Sequence, residues 1–197
     1  MDANELMGLF KRYDAFLEGH FLLTSGLHSP HYFQCARILQ HPEVAEKLGR
    51  ALAGKLKDRL SGVKIDVVVS PAMGGLIIGH ELGRALGCRA VFTERQEGVM
   101  TLRRFQLAQG EQAVVVEDVV TTGGSLLEAA AAAEKSGAGV RAVCCLVDRS
   151  SGKAAGLDSL VGLLKVDVVN YKAEQCPLCA QGLPLVKPGS RTAAKTN

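Results

Sequence analysis

Tryptophan is absent from this chain of 197 residues, and aromatic residues make up only 5% of it. Charge of one sign is also lacking, because 23 Lys and Arg residues against 20 Asp and Glu residues give a net charge of +3. A nucleic-acid-binding protein usually presents a basic surface, often with aromatic side chains on which bases stack. The composition therefore predicts that the chain does not bind nucleic acid.

Long apolar runs are missing as well. No run reaches the ~18 residues that indicate a membrane-spanning helix. The first residues, MDANELMGLFKRYDAF, contain no apolar segment of the kind found in signal peptides. We therefore expect a cytoplasmic protein that does not bind membranes and whose six cysteines are mostly thiols.

Cys176 and Cys179 form a lone CxxC pair around Pro177. A structural zinc site needs four ligands, and neither a second CxxC pair nor a nearby histidine follows this one. The sequence therefore favours a tight turn at Pro177 over a zinc site. It leaves the role of the two cysteines open.

Apolar, β-branched runs alternate along the chain with segments rich in helix-forming residues. The predicted strands are 65–69, 89–93, 113–116 and 140–148, with a final strand pair in 160–171. The predicted helices are 3–17, 42–61, 76–86 and 126–135. This alternation predicts an α/β fold with a central parallel sheet flanked by helices. Residues 1–197 are expected to form one domain, of which about 185–197 is a frayed tail.

The most informative stretch is 113–125, AVVVEDVVTTGGS. A predicted strand is followed by Glu117 and Asp118, then by the hydroxyl- and glycine-rich segment 121–125, and then by a helix. The first N–H groups of a helix are unpaired and carry partial positive charge, so they bind anions. The two glycines allow the backbone to approach such an anion closely. The stretch therefore predicts a phosphate site.

The two acids narrow the choice of ligand. Carboxylates beside a phosphate would repel it unless they face ribose hydroxyls or a hydrated Mg²⁺ ion. No lysine follows the glycines, which excludes a Walker phosphate loop. The predicted ligand has a phosphate at one end and a polyol or metal in the middle. The alternative is an ordinary helix start with Ser125 as its N-cap and two solvated acids.

The segment VVVEDVVTTGGS closely resembles the phosphoribosyl-diphosphate (PRPP) signature of type I phosphoribosyltransferases. The resemblance implies the fold of that family, with an N-terminal hood formed by about residues 1–40. It implies that the acids hold the ribose hydroxyls, and that Mg²⁺ is carried by PRPP near Glu117 and Asp118 without a direct protein ligand. The implied PRPP-binding residues are Met73, Gly74, Arg95, Glu117, Asp118, Val119, Val120, Thr121, Thr122, Gly123, Gly124 and Ser125.

The stretch 20–37, HFLLTSGLHSPHYFQCAR, mixes turn residues with aromatics, which predicts short strands or an edge hairpin. Within it lies the segment 24–34, TSGLHSPHYFQ. It also resembles the hood of orotate phosphoribosyltransferases, in which two adjacent aromatics cover the orotate ring. That family's best-known branch has a lysine where this chain has Thr24. Arg149 ends the predicted strand 140–148 and is either a surface residue or, by the resemblance, the partner of the orotate carboxylate. The implied orotate-binding residues are Tyr32, Phe33, Thr121 and Arg149.

The turn 70–75, SPAMGG, follows another predicted strand and is either a simple tight turn or a small anion site. By the resemblance it binds diphosphate, often through a non-proline cis peptide, here near Ala72 and Met73. A sequence cannot show such a peptide.

Residues 94–104, ERQEGVMTLRR, are charged and have no clear periodicity, which predicts a mobile loop or a splayed hairpin. Guanidinium groups bind phosphate oxygens in pairs, so the arginines suit a diphosphate leaving group. The alternative is a solvated charged loop. The resemblance implies a homodimer in which this loop reaches the neighbouring subunit's site. It leaves open whether Arg103 or Arg104 replaces the family's catalytic lysine, because Gln96 occupies the position of the first lysine.

The resemblance implies transfer of phosphoribosyl from PRPP to orotate, giving orotidine 5′-monophosphate and diphosphate in pyrimidine biosynthesis. Asp118 would stabilise positive charge on the ribose, and Arg103 or Arg104 would act on the leaving group. Purine and uracil phosphoribosyltransferases share the central motif but do not need the SPHYF segment or Arg149. A PRPP-sensing regulator is a further alternative, although it would need a nucleic-acid surface or an added DNA-binding domain.

Overall fold

The computed structural model describes residues 1–23, 25–152 and 156–188. The helices are α1 (Ala3–Arg12), α2 (Cys35–Leu39), α3 (Pro42–Leu60), α4 (Gly75–Leu86), α5 (Gly124–Lys135) and α6 (Pro177–Ala180). The strands are β1 (Phe16–Leu22), β2 (His28–Phe33), β3 (Val67–Pro71), β4 (Arg89–Gln96), β5 (Val99–Thr101), β6 (Gln112–Val120), β7 (Gly139–Asp148) and β8 (Val161–Lys165). No helix within these ranges combines the length and the apolar character needed to cross a bilayer.

The main sheet has six strands in the order β5-β4-β3-β6-β7-β8. All neighbours are parallel except β4 and β5, which form an antiparallel pair. The predicted α/β fold with a mostly parallel sheet is therefore confirmed. The chain moves outward from β3 to β4 and returns on the other side of β3 as β6. Loops that leave such a switch point diverge and open a crevice at the carboxyl ends of the strands.

Both faces of the sheet are covered, which explains why the strands are apolar without strict alternation. Val68 and Val114 face the core that α1–α4 close, whereas Val67 and Val115 face the core beneath α5. All four valines have no exposed surface. Burial on both sides fixes the register of β3 against β6, because a shift by one residue would exchange the two faces.

A second sheet consists of the antiparallel hairpin β1–β2, which we call the hood hairpin. Its edges are extended by the C-terminal segment, residues 166–188. His28 and Tyr171 exchange backbone hydrogen bonds of 2.8 Å in both directions. The N–H of Val186 donates to the carbonyl of His20, and the N–H of Leu22 donates to the carbonyl of Val186. The hairpin predicted near residues 20–37 is therefore present, and the described end of the chain is bound to it.

Two predicted elements at the N-terminus and in the central motif have different bounds. The helix predicted over 3–17 ends at Arg12, because Asp14 takes a left-handed conformation (φ 51°) and Phe16 already pairs in β1. The strand predicted to end at Val116 continues to Val120, so Glu117 and Asp118 lie within β6. Its last residues stay paired with β7, which the local sequence could not indicate.

Two predictions near the C-terminus are wrong. The strand pair expected in 160–171 is the single strand β8, and Tyr171 makes only an isolated bridge to His28. Pro177, where a tight turn was expected, is the first residue of the short helix α6. Proline is accepted there because the first helical N–H has no partner in any case. Of the tail predicted for 185–197, residues 189–197 lie outside the described part.

The contact between α3 and α4 gives a test of the core. A methyl group on Gly49 would lie 2.8 Å from the backbone of Glu81, whereas one on Gly54, in the same helix, would meet nothing within 4 Å. We expect Gly49→Ala to lower the free energy of unfolding by about 1–3 kcal/mol through overpacking. Gly54→Ala should raise it by about 0.5–1 kcal/mol, since alanine is the better helix former. Urea denaturation of both variants measures the difference, and equal effects would contradict the described helix contact.

Candidate active site

The turn after β3 touches the acid pair of β6 at the switch point. A methyl group on Gly74 would lie 2.7 Å from Oδ1 of Asp118, so only glycine fits there without movement of the carboxylate. The peptide between Ala72 and Met73 is cis, and the Met73 side chain is 79% exposed. The structure thus places the two predicted ligand-binding turns side by side, although the chain between them passes through β4 and β5.

Glu117 is buried and Asp118 is partly exposed at the end of the sheet. The N–H of Asp118 donates to Oε1 of Glu117 (3.3 Å), and the N–H of Val119 donates to Oδ1 of Asp118 (2.8 Å). Burial, and then the charge of Asp118, raise the pKa of Glu117 to about 9. Burial also raises the pKa of Asp118. Within the described ranges neither carboxylate forms an ion pair, so a ligand that offers hydroxyl donors or a cation would stabilise the ionised pair.

The anion loop, residues 121–125, connects the end of β6 to α5. Gly123 is the residue before the helix and takes a left-handed conformation (φ 82°), which glycine adopts without strain. No side chain caps the helix, so Ser125 is not the N-cap, and the predicted alternative of a side-chain-capped helix start is wrong. A cleft of about 70 Å³ is lined by Glu117 and by residues 119–126. Its backbone N–H groups and hydroxyls are hydrogen-bond donors of the kind that phosphate sites at helix N-termini use.

Arg149 is buried, with 6% of its surface exposed, just beyond the end of β7. Its Nη2 donates to Oγ of Ser29 (3.1 Å) and to the carbonyl of His31 (3.4 Å), whereas its Nε has no partner. The adjacent Asp148 instead accepts hydrogen bonds from Ser150, and no carboxylate in the described part of the chain pairs with Arg149. Burial lowers the pKa of Arg149. Burying a guanidinium without a counter-ion is unfavourable, so an anionic ligand at this position would stabilise Arg149.

The two adjacent aromatics of β2 point in different directions. Phe33 is 4% exposed and packs against Phe10 and Phe16, with the guanidinium carbon of Arg149 5.9 Å from its ring centroid. Tyr32 is partly exposed; burial, and next the charge of Asp118, raise its pKa. Tyr32 is therefore near enough to Asp118 for its pKa to respond to that charge, whereas Phe33 packs in the core beside Arg149. Thr24 lies outside the described residues.

Of the two predictions for residues 94–104, the hairpin is present, but its strands are paired rather than splayed: residues 94–96 of β4 pair with residues 99–101 of β5, and residues 102–104 follow the hairpin. Arg95 pairs with Glu128 of α5 (2.5 Å) and donates to the carbonyl of Gly98 (2.8 Å). Arg104 pairs with Glu94 (2.7 Å). Arg103 is exposed and makes no hydrogen bond or ion pair with any described residue. Two of the three arginines are therefore held within the chain, and Arg103 remains available to a ligand.

The comparisons with known proteins agree with this geometry. The family model of the phosphoribosyl transferase domain matches residues 34–178. Orotate phosphoribosyltransferase of Heliobacterium modesticaldum is 50% identical over 194 residues, which are 98% of this chain and 100% of that protein. The protein of the same name from Pelotomaculum thermopropionicum is 51% identical over 97% of this chain and 99% of its own length. The chain belongs to the orotate phosphoribosyltransferase family.

Solved structures show the fold of this family more widely. Orotate phosphoribosyltransferase from Aeropyrum pernix superposes with a TM-score of 0.68 at 24% identity, over 82% of this chain and 93% of that one. An adenine phosphoribosyltransferase from Thermoanaerobacter pseudethanolicus has a TM-score of 0.56 at 19% identity, over 69% of this chain and 88% of that one. The type I phosphoribosyltransferase fold is therefore confirmed, and the fold alone does not select the base.

The structure brings most of the predicted site residues to one edge of the sheet. Gly74 lies against the acid pair, the anion loop follows it, and Tyr32 is near enough for the charge of Asp118 to raise its pKa. Arg95 and Arg104 are instead paired with Glu128 and Glu94. Sequence reasoning missed Ser29, which holds the guanidinium of Arg149. No local signal could identify Ser29, because the two residues are 120 positions apart.

The raised pKa of Glu117 predicts how stability depends on pH. The folded state keeps the Glu117 proton up to about pH 9, whereas an unfolded glutamate releases it near pH 4.3 (an approximate reference value). Stability from this group is thus complete below the unfolded pKa and is lost as pH rises toward 9. We expect Glu117→Gln to raise Tm by about 3 °C or more at pH 8 and by less at pH 5, as measured by calorimetry without ligand. Glu111→Gln serves as a control on a carboxylate that is paired with Arg89, and a Glu117→Gln effect that does not change with pH would contradict the assignment.

Proposed function

We propose that the chain transfers phosphoribosyl from PRPP to orotate, producing orotidine 5′-monophosphate and diphosphate. The observation that carries this proposal is Arg149, a buried guanidinium with an unpaired Nε beside the hood hairpin. Orotate has a carboxylate that can occupy that position, whereas uracil and the purines have none. The names of the relatives at about 50% identity support the same substrate.

PRPP fits the crevice in one orientation. The anion loop offers backbone N–H groups and the hydroxyls of Thr121, Thr122 and Ser125 to the 5′-phosphate. Glu117 and Asp118 then face the ribose hydroxyls, which are hydrogen-bond donors suited to carboxylates. The turn at Met73 and Gly74 lies on the far side of Asp118 and would receive the diphosphate. In this orientation, C1 of the ribose would face the side of the crevice that we propose binds the base.

Mg²⁺ suits this donor set. The carboxyl pair at Glu117 and Asp118 has no cationic partner among the described side chains, and burial raises the pKa of both groups. A cation carried by the PRPP oxygens would lower the energy of the ionised pair without being bound directly by it. When bound, Mg²⁺ neutralises the negative charge that develops on the departing diphosphate.

The chemical step needs charge stabilisation more than a nucleophilic side chain. N1 of orotate, without its proton, forms a bond to C1 of the ribose while the bond from C1 to the diphosphate oxygen breaks. Positive charge grows on the ribose as this bond breaks, and Asp118 places negative charge beside it. Arg149 and Tyr32 orient the orotate ring, while closure of residues 94–104 would exclude water that otherwise hydrolyses PRPP.

We also propose that the chain forms a homodimer in which residues 94–104 act on the partner's PRPP. Arg103 is the better candidate for the diphosphate, because Arg104 is already held by Glu94 and Arg103 has no described partner. A free guanidinium can grip two phosphate oxygens at once, which suits the leaving group.

Selection of the base tests the proposed reaction. In the presence of PRPP and Mg²⁺, we expect turnover of orotate and no turnover of uracil, hypoxanthine or adenine. Turnover is measured by the release of diphosphate. Arg149→Met should raise KM for orotate about 10- to 100-fold, the value of one or two charge-assisted hydrogen bonds, with little change in KM for PRPP. Arg141→Met, an exposed arginine on the same strand, is the control. Turnover of another base, or PRPP binding without any turnover, would contradict the proposal.

Mixing of variants tests the shared site. We expect Asp118→Asn and Arg103→Ala each to lower kcat by roughly 100-fold, and Arg104→Ala to lower it less. If the loop acts across a dimer, an equal mixture of the first two variants should regain about a quarter of the original activity, because about half of the dimers are mixed and each mixed dimer holds one intact site of two. Activity is measured after the subunits have exchanged. No recovery in a mixture shown to contain mixed dimers would place Arg103 and Asp118 in the same subunit's site.

A further inference from the structure

Four side chains from three separate parts of the chain meet beside the hood hairpin. His20 comes from β1, His28 from β2, and Cys176 and Cys179 from the C-terminal segment. Their ligand atoms all lie within 4.8 Å of one another. His20, His28 and Cys176 are buried, whereas Cys179 is exposed at the rim. Neither the PRPP crevice nor the proposed reaction uses any of them.

The distances within this cluster fit a tetrahedral ion. Zinc–nitrogen bonds of about 2.0–2.1 Å and zinc–sulfur bonds of about 2.3 Å place neighbouring ligand atoms roughly 3.3–3.8 Å apart. The Sγ atom of Cys176 lies 3.5 Å from Nε2 of His20, and Sγ of Cys179 lies 3.7 Å from that nitrogen and 3.3 Å from Nδ1 of His28. Nε2 of His20 and Nδ1 of His28 are 2.9 Å apart, so a small movement of one ring would bring them to the spacing that the ion requires.

The surrounding backbone already orients the two histidines. Nδ1 of His20 lies 2.9 Å from the carbonyl of Leu183 and must donate to it, since a carbonyl can only accept. This bond leaves the lone pair of the neutral ring on Nε2, which faces the two sulfurs. Metal-binding histidines usually donate a hydrogen bond from their other ring nitrogen in this way, which fixes the orientation of the ring. The backbone of His28 is held by its bonds to Tyr171.

The donor set selects the ion. Two thiolates and two neutral imidazoles neutralise a divalent charge completely, which suits a site that is mostly buried. Four protein ligands leave no open position for a substrate, which is the arrangement of structural rather than catalytic zinc sites. Cys176 lies 156 residues after His20, so a bound ion would close a loop of most of the chain.

We propose that His20, His28, Cys176 and Cys179 bind one structural zinc ion that fastens the C-terminal segment to the hood hairpin. His28 directly precedes Ser29, whose hydroxyl holds the guanidinium of Arg149. The ion therefore stabilises the strand from which the base-binding side of the crevice is built. The site stands on its own geometry and does not depend on the identity of the substrate.

Metal analysis of the purified full-length protein tests this site. We expect about one zinc ion per chain by elemental analysis, and less than a tenth of that in Cys179→Ser. Cys88→Ser, which changes a partly exposed cysteine outside the cluster, should retain the full amount. Circular dichroism establishes that each variant is folded. Protein refolded with excess zinc that still binds none would overturn the proposal, as would equal zinc content in both variants.

Cobalt substitution tests metal binding directly, because replacing a cysteine that does not bind the ion would leave the cobalt spectrum unchanged. Co²⁺ in a tetrahedral site with thiolate ligands absorbs visible light and shows sulfur-to-cobalt charge transfer. We expect both features in the original protein and in Cys88→Ser, and their loss in Cys179→Ser. Removal of the metal with a chelator should lower Tm, expose two further thiols to a colorimetric reagent, and be reversed by added zinc. Thiols released by a reductant but not by a chelator would indicate a Cys176–Cys179 disulfide instead and would overturn the site.

Discussion

The contact between the turn after β3 and the acid pair of β6 is the constraint on which the site depends. Gly74 lies so close to Asp118 that no side chain fits between them. The contact exists because β3 and β6 are neighbours in register, with Val67 beside Ala113 and Val69 beside Val115. Burial on both faces of the sheet fixes that register. The phosphate end, the sugar and the leaving group of the proposed substrate are all positioned from this one junction.

The crevice contains two sets of ionisable groups, the acid pair and Arg149, that each lack a partner of opposite charge among the described residues. The acid pair lacks a cation, and burial raises the pKa of both carboxyls. Arg149 lacks an anion, and burial lowers its pKa. The two sets do not neutralise each other in the described structure. A ligand with ribose hydroxyls and a metal-bound diphosphate satisfies the first set, and a base with a carboxylate satisfies the second. Complementarity to the two proposed substrates would therefore come from unmet pairing within the crevice.

The hood hairpin and the described C-terminal segment lie outside the main sheet and support the side of the crevice that we propose binds the base. Strand β2 carries Ser29 and Tyr32, and the C-terminal segment pairs with His20, Leu22 and His28 along the edges of the hairpin. A two-stranded hairpin is only marginally stable by itself. Backbone pairing on both edges, together with the proposed zinc ion, would give this hairpin the rigidity that a binding surface requires.

The sequence by itself determined the α/β class and the central motif with its acid pair and anion loop, because these depend on local patterns: apolar runs, helix formers, and glycines at the end of a strand. It predicted less well where α1 and β6 end, since pairing with distant strands decided those bounds. Only the tertiary structure decided that Arg149 is buried without a partner. It also decided that Arg104 is held by Glu94, and that two histidines meet the lone CxxC pair. The physical reason is that packing brings counter-charges and metal ligands together from distant parts of the chain. Their spacing in the sequence does not indicate these contacts.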